Sequence, residues 1–167
     1  MKRIIALVLA LGLILSFSGC REAKNEKNEA LQNLIQVQSG DILIKSYENF
    51  LWATMWTENG WLSLDGARMS RKFSEVCSEI PQIVYCDDFE IHYKEGVEFV
   101  SLSVYNSDFD IINNNAKQEE LRDLAEGTYY LVITVKEQGE YIESEEKYEY
   151  ACYECVYKLV IDAGISK

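Results

Sequence analysis

Apolar and polar positions alternate with a period of two over most of the chain. Val100, Leu102 and Val104 lie on one side of residues 97–105. Tyr129, Leu131, Ile133 and Val135 form a second such set, and Ala151, Tyr153, Cys155, Tyr157, Leu159 and Ile161 a third. This period puts alternate side chains on opposite faces of a strand. Residues 42–47 read as an earlier strand. In residues 50–56, Phe50, Trp52, Thr54 and Trp56 alternate with Leu51, Ala53 and Met55, as expected of a strand buried on both sides. Residues 82–85 and 89–93 are short strands around Asp87-Asp88, Glu58-Asn59-Gly60 is a turn, and Asn113-Asn114-Asn115 is a loop. One segment breaks the rhythm. Met69, Phe73, Val76, Cys77 and Ile80 recur at helical spacing and Pro81 follows, which predicts one amphipathic helix over 67–79. Leu31, Leu34, Ile35 and Val37 fit either a short helix or an edge strand.

The N-terminus follows another pattern. Lys2 and Arg3 precede an unbroken run of apolar or small residues from Ile4 to Phe17. That run is shorter than the ~20 residues a membrane-spanning helix needs. Ser18-Gly19-Cys20 closes it and resembles the lipobox of bacterial prolipoproteins, with Phe17 where leucine is usual. The resemblance implies cleavage before Cys20 and lipid, palmitate included, on its thiol. The protein is then held at the extracytoplasmic side of the cell membrane. Each buried methylene contributes roughly 0.8 kcal/mol, so two or more acyl chains anchor stably. The expected organisation is a signal peptide over 1–19, a lipidated cysteine and charged tether over 20–40, and a folded domain over 41–167.

Charge narrows the partners. The chain has 16 basic and 28 acidic residues, a formal net charge of -12. Loss of Lys2 and Arg3 with the leader leaves 14 basic residues, and the charge becomes -14. Such an excess repels phosphate backbones, so no nucleic-acid partner is expected. The expected partners are membrane lipid through Cys20 and another envelope protein.

Leu121, Leu124, Gly127, Tyr129, Leu131 and Ile133 form a pattern that resembles the L-x-x-G-x-Y-x-V-x-V signature of Ig-like and fibronectin-like β-sandwiches. The resemblance implies such a sandwich with one short inserted helix. It also implies a structural corner at Tyr129, whose hydroxyl ties back to the preceding turn. The Cys…Trp…Cys spacing of antibody domains is missing. Residues 42–162 as a whole look like extracytoplasmic domains of clostridial-type lipoproteins. They are more loosely similar to the C-terminal tails of β-lactam-sensor-type membrane metallopeptidases. The chain has no His-Glu-x-x-His, so peptidase activity does not carry over.

Candidate chemistry is sparse. His92 is the single histidine, and it reads as an ordinary strand residue. Cys152 and Cys155 form a C-x-x-C, but three residues apart on a strand they face opposite ways, with Cys155 toward the core. Unpaired thiols are favoured for these two and for Cys77 and Cys86; a disulfide and a metal or redox site are the alternatives. Asn106, Asp108 and Asp110 have calcium-loop spacing without its glycine or closing acid, and with Asp87, Asp88 and Glu90 they read as solvated loop charge, with bound calcium as the alternative. Trp52, Trp56 and Trp61 with Phe50 read as core; the alternative is a sugar-stacking platform, for which Trp61, just after a turn, is the candidate ligand-binding residue. No catalytic residue, metal site or cofactor is expected. The leading expectation is a non-catalytic accessory or sensor-partner module. The alternative is a carbohydrate- or peptidoglycan-binding module, and a hydrolase ranks third.

Overall fold

The computed structural model describes residues 34–162. Among these the protein is mainly β, with two sheets and only short helical turns. The smaller sheet has three antiparallel strands in the order β2 (Ile42–Lys45), β1 (Ile35–Ser39), β6 (Glu90–Tyr93). The larger has seven. Its path runs β4 (Gly60–Asp65), β3 (Tyr47–Thr57), β10 (Lys147–Ile161), β9 (Gly127–Ile142), β7 (Val97–Tyr105), β8 (Ile111–Asn114). The short β5 (Gln82–Val84) pairs in parallel with Lys158, Leu159 and Val160 of β10, beyond the point where β3 departs.

Strands β9 and β10 are the spine, and their sequence explains it. On β9, Leu131, Ile133 and Val135 point to one side while Tyr130 and Val132 point to the other. On β10, Cys155, Tyr157 and Leu159 oppose Val156. A strand apolar on both faces must be covered on both. On the first side, Ile35, Val37 and Ile91 of the small sheet share one buried cluster with Leu102, Leu131, Tyr157 and their neighbours. Each fully buried aliphatic side chain there contributes roughly 1.5–3 kcal/mol. The Tyr157 hydroxyl donates toward the carbonyls of Ile44, at 3.2 Å, and Ile35, at 3.4 Å, joining the sheets through the core. On the second side, Met69, Phe73 and Ile80 pack on Tyr105, Tyr130, Val132 and Val156.

Four segments differ from expectation. The helix expected over 67–79 is a 3-10 turn, Met69–Arg71, followed by one short α-helix, α1 (Phe73–Val76). Lys72 between them, at φ -115° and ψ -10°, breaks the regular geometry, and neither piece has a side-chain N-cap. Met69, Phe73 and Ile80 are nonetheless all buried, so the spacing marked the inward side chains and not a continuous helix. Residues 35–39, assigned to the tether, form β1, the middle strand of the small sheet, and Leu34, Ile35 and Val37 are buried. Asn113 and Asn114, read as loop, end the exposed edge strand β8, and the turn comes at Asn115, at φ +92°.

Strand β3 is the fourth. It carries a bulge at Leu51, because Cys152 pairs with Trp52 but Tyr153 pairs with Phe50. The bulge turns Phe50 to the core side, edge-on to Tyr153 at 5.8 Å. Trp52 stays on the opposite side. Gly66 closes against this bulge, donating its N–H to the Leu51 carbonyl at 2.6 Å, and a Cβ on Gly66 would lie 2.2 Å from the Phe50 carbonyl oxygen.

Candidate functional site

The helical segment and the small sheet are both shorter than the strands they cover. The β3–β4 hairpin and the far end of the β9–β10 hairpin therefore extend past their covering layers. Strand parity puts Trp52, Thr54 and Trp56 of β3 on one side of this extension, with Trp61 of β4 opposite Trp56. Tyr148 and Tyr150 of β10 lie on the same side, with Tyr141 of β9 opposite Tyr148. The result is a strip of aromatic rings on one side of the sheet. Trp52 and Trp61 are each 36% exposed, and Tyr141 and Tyr148 are exposed as well. The expectation of a tryptophan core is corrected for Trp52 and Trp61: alternation put these rings on one face, and the helical segment that covers this face further along does not reach them. Phe50, expected with them, lies on the other side for the reason given above.

Local contacts hold the strip in shape. The β3–β4 turn is closed by Gly60, at φ +104°, and by the Thr57 hydroxyl, which donates to the Gly60 carbonyl at 2.7 Å. This turn delivers Trp61 edge-on to Trp56, with centroids 5.4 Å apart. The Trp56 N–H donates to the Glu149 carboxylate at 2.7 Å, which steadies β3 where its ladder with β10 ends. Tyr141 and Tyr148 sit 4.8 Å apart, and the Lys136 ammonium lies 3.5 Å above the Tyr150 ring. A groove of about 410 Å³ runs along the strip, lined by Thr54, Trp61, Glu146, Lys147, Tyr148 and Tyr150. Apolar rings beside a few charged or hydroxyl groups suit a ligand with both apolar and hydrogen-bonding surfaces.

The reverse side of the hairpin is aliphatic. Met55 pairs with Leu62, Ala53 pairs with Leu64, and Met55, Leu62 and Leu64 are exposed.

The remaining sequence candidates are scattered. His92 is exposed on β6, with its ring nitrogen 3.2 Å from the Gln38 amide oxygen and 3.9 Å from Glu90. Cys77, Cys86, Cys152 and Cys155 are free thiols. Cys155 lies in the main core, where burial pushes its thiol up to about 12; Cys152 lies on the opposite face, raised first by burial and then by nearby Glu154. Thiols held protonated in this way are poor nucleophiles. The Asn106 side-chain oxygen accepts the N–H groups of Asp108 and Asp110, at 3.0 and 2.9 Å, and so shapes its own loop. Among the described residues no three His, Cys, Asp or Glu side chains converge as metal ligands. The Tyr129 hydroxyl donates to the Ala125 carbonyl, four residues back, at 2.9 Å. Cys20 lies outside the described residues, and among those described no helix is long and apolar enough to cross a membrane.

One feature without a sequence signal is the buried Glu154. Its carboxylate accepts the Asn49 side-chain amide at 2.8 Å and the Met69 N–H at 2.5 Å, while Lys72 donates to Asn49 at 2.8 Å. It sits in an apolar strand run that marks it only as a polar exception.

No protein-family model matches the chain, and neither does any curated protein or solved structure.

Proposed function

We propose that this protein is a lipid-anchored extracytoplasmic binding module that turns over no substrate and grips a glycan of the cell envelope on its aromatic face. The carrying observation is the exposed strip of Trp52, Trp61, Tyr141 and Tyr148 with its adjoining groove. Sugar rings present C–H faces that pack on aromatic rings and hydroxyls that need polar neighbours, here Thr54, Glu146 and Lys147. The non-catalytic part of the reading is supported by the exposed setting of His92 and the protonated state of the buried thiols. The fold we assign is an Ig-like or fibronectin-like sandwich with a short helical insert. Its support is the core shared by the two sheets and the bond from Tyr129 to Ala125. The anchor and address rest on the Ser18-Gly19-Cys20 lipobox.

A second reading has its own observation. The exposed Met55, Leu62 and Leu64 on the reverse side suit an accessory or sensor-partner contact with another envelope protein.

The test of the first reading is titration of the full-length chain with chitohexaose, followed by tryptophan fluorescence and calorimetry. Saturable binding should weaken at least about tenfold in Trp61→Ala, a loss of about 1.4 kcal/mol. Absence of binding, or binding indifferent to Trp61 and Tyr148, refutes it. For the anchor, Cys20→Ala should abolish palmitate incorporation and leave the precursor uncut. Persistent labelling of that variant refutes the anchor.

A further inference from the structure

Toward β7 the aromatic face runs into a second concavity of about 460 Å³, walled by Trp52, Arg68, Ser101, Thr134, Lys136 and Cys152 among others. We propose that this pocket is a carboxylate-binding subsite, so that the glycan laid on the aromatic strip is an acidic one whose carboxyl groups Arg68 and Lys136 receive. The inference rests on the glycan reading above and names the class of sugar.

Charge is the first argument. The chain as a whole carries -12, yet both charged side chains in this wall are cations. Neither is neutralised: among the described residues the ion pairs join His92 to Glu90, Lys94 to Glu137 and Arg122 to Asp123. The nearby acids are Glu154 and Glu98. Glu154 is buried and committed to Asn49 and the Met69 N–H. Glu98, opposite Lys136 on β7, is exposed and forms no ion pair with it. The Glu154 charge is offset by Lys72, which donates to the same Asn49, so the two wall cations face one further acid, Glu98, and leave room for a single negative charge. The fork of an arginine matches a planar carboxylate, and Ser101 and Thr134 supply hydroxyl donors beside it. Cys152 is protonated and does not oppose an anion.

Position is the second argument. Lys136 is held over the Tyr150 ring, and Tyr150 also lines the aromatic groove. Trp52 belongs to the pocket wall and is two residues from Thr54 of the groove. One oligosaccharide can thus stack on Trp61 and Tyr148 and place a substituent between Arg68 and Lys136. A pocket of this size admits a whole sugar unit.

The test uses the full-length chain in detergent and three probes. These are peptide-free peptidoglycan glycan strands with free lactyl carboxyls, the same strands after carboxyl amidation, and neutral chitohexaose. The expected result is that the free-acid strands bind at least about tenfold tighter than the amidated ones. That preference should vanish in R68Q and in R68Q/K136Q, while R68Q binds chitohexaose as wild type does. It should also vanish in wild type at 0.5 M sodium chloride, roughly where the Debye length falls below 5 Å. This arm reads the pocket without mutation. Equal affinity for all three probes in wild type overturns the carboxylate subsite and leaves the glycan reading standing. Binding of the acidic strands that needs Arg68 and Lys136 but not Trp61 keeps the subsite and removes the aromatic reading. If no probe binds, both fall. A stronger preference for poly(glycerol phosphate) than for the acidic strands overturns the carboxylate assignment in favour of phosphate.

Discussion

Replacing Glu154 with leucine tests whether this buried carboxylate holds the helical segment to the sheet. Glu154 is only 4% exposed, and both of its hydrogen bonds reach the same oxygen, Oε2. In Glu154→Leu the Met69 N–H loses its acceptor beside a fully buried side chain, at a cost of about 1–3 kcal/mol. The Asn49 amide keeps the Ala67 carbonyl, at 2.7 Å, so its loss is smaller, about 1 kcal/mol. Relief from desolvating a carboxylate offsets part of this, and the expected net loss is about 2–3 kcal/mol. Glu154→Gln can keep its amide oxygen at the Oε2 position and accept both donors without the charge, so it should lose about 1 kcal/mol. Urea denaturation reads these losses directly. At a slope of about 1–3 kcal/mol/M, the leucine variant's midpoint should fall by roughly 1–2 M and the glutamine variant's by less. Amide exchange at Met69 should quicken in the leucine variant. Because Arg68 immediately precedes Met69, its preference for acidic glycan should also weaken. A leucine variant as stable as wild type, with Met69 still protected, would show that burial of the charge outweighs its bonds and refute the reasoning.

Three further outcomes follow from single contacts. Tyr129→Phe removes the bond to the Ala125 carbonyl and should cost about 0.5–1 kcal/mol; an unchanged denaturation midpoint counts against a structural corner there. Burial raises the Glu48 carboxyl above its ordinary 4.5, although the Leu34 N–H bonded to it pulls the other way. The folded state therefore holds its proton longer than the unfolded state, and this group's contribution to stability declines as pH rises from 4.5. Glu48→Gln should accordingly gain in melting temperature relative to wild type across that range, and a constant gap refutes the shift. A maleimide probe under native conditions should modify the half-buried Cys77 and Cys86 well before Cys152 and Cys155, as read by mass mapping; early labelling of Cys155 contradicts its place in the core.

The fold was legible where burial on both faces left a dense apolar signature. Strands β7, β9 and β10 are such cases: Leu131, Ile133 and Val135 are inward on one side and Tyr130 and Val132 on the other. Elsewhere the local signal was true but incomplete. Residues 35–39 alternate Ile35 and Val37 with Gln36 and Gln38, but five residues beside a charged tether do not separate a strand from a helix turn. Over 69–80 the helical spacing identified inward residues, and irregular turns deliver the same residues inward. The Leu51 bulge has no glycine or proline within it, and only the partner strand reveals it.

The site was harder to see because its decisive property is an absence of cover. Periodicity tells which side chains share a face; whether a second layer reaches that face depends on elements far along the chain. Trp52, Trp56 and Trp61 share a face with Tyr130, Val132 and Val156 in strand parity, yet those three are buried under Met69 and Phe73 and Trp61 is open, because the helical segment stops short of the hairpin end. A tryptophan at strand spacing is therefore core or ligand site according to the length of a remote segment. The two wall cations come from equally distant places, Arg68 from the loop after β4 and Lys136 from β9, with nothing in their local sequence to join them. A net charge of -12 conceals that pair. The candidate site is thus a product of topology: β10 and β9 carry the tyrosines, β3 and β4 bring the tryptophans, β9 and the loop after β4 bring the cations, and the shortness of the covering segment leaves the assembly open to a ligand.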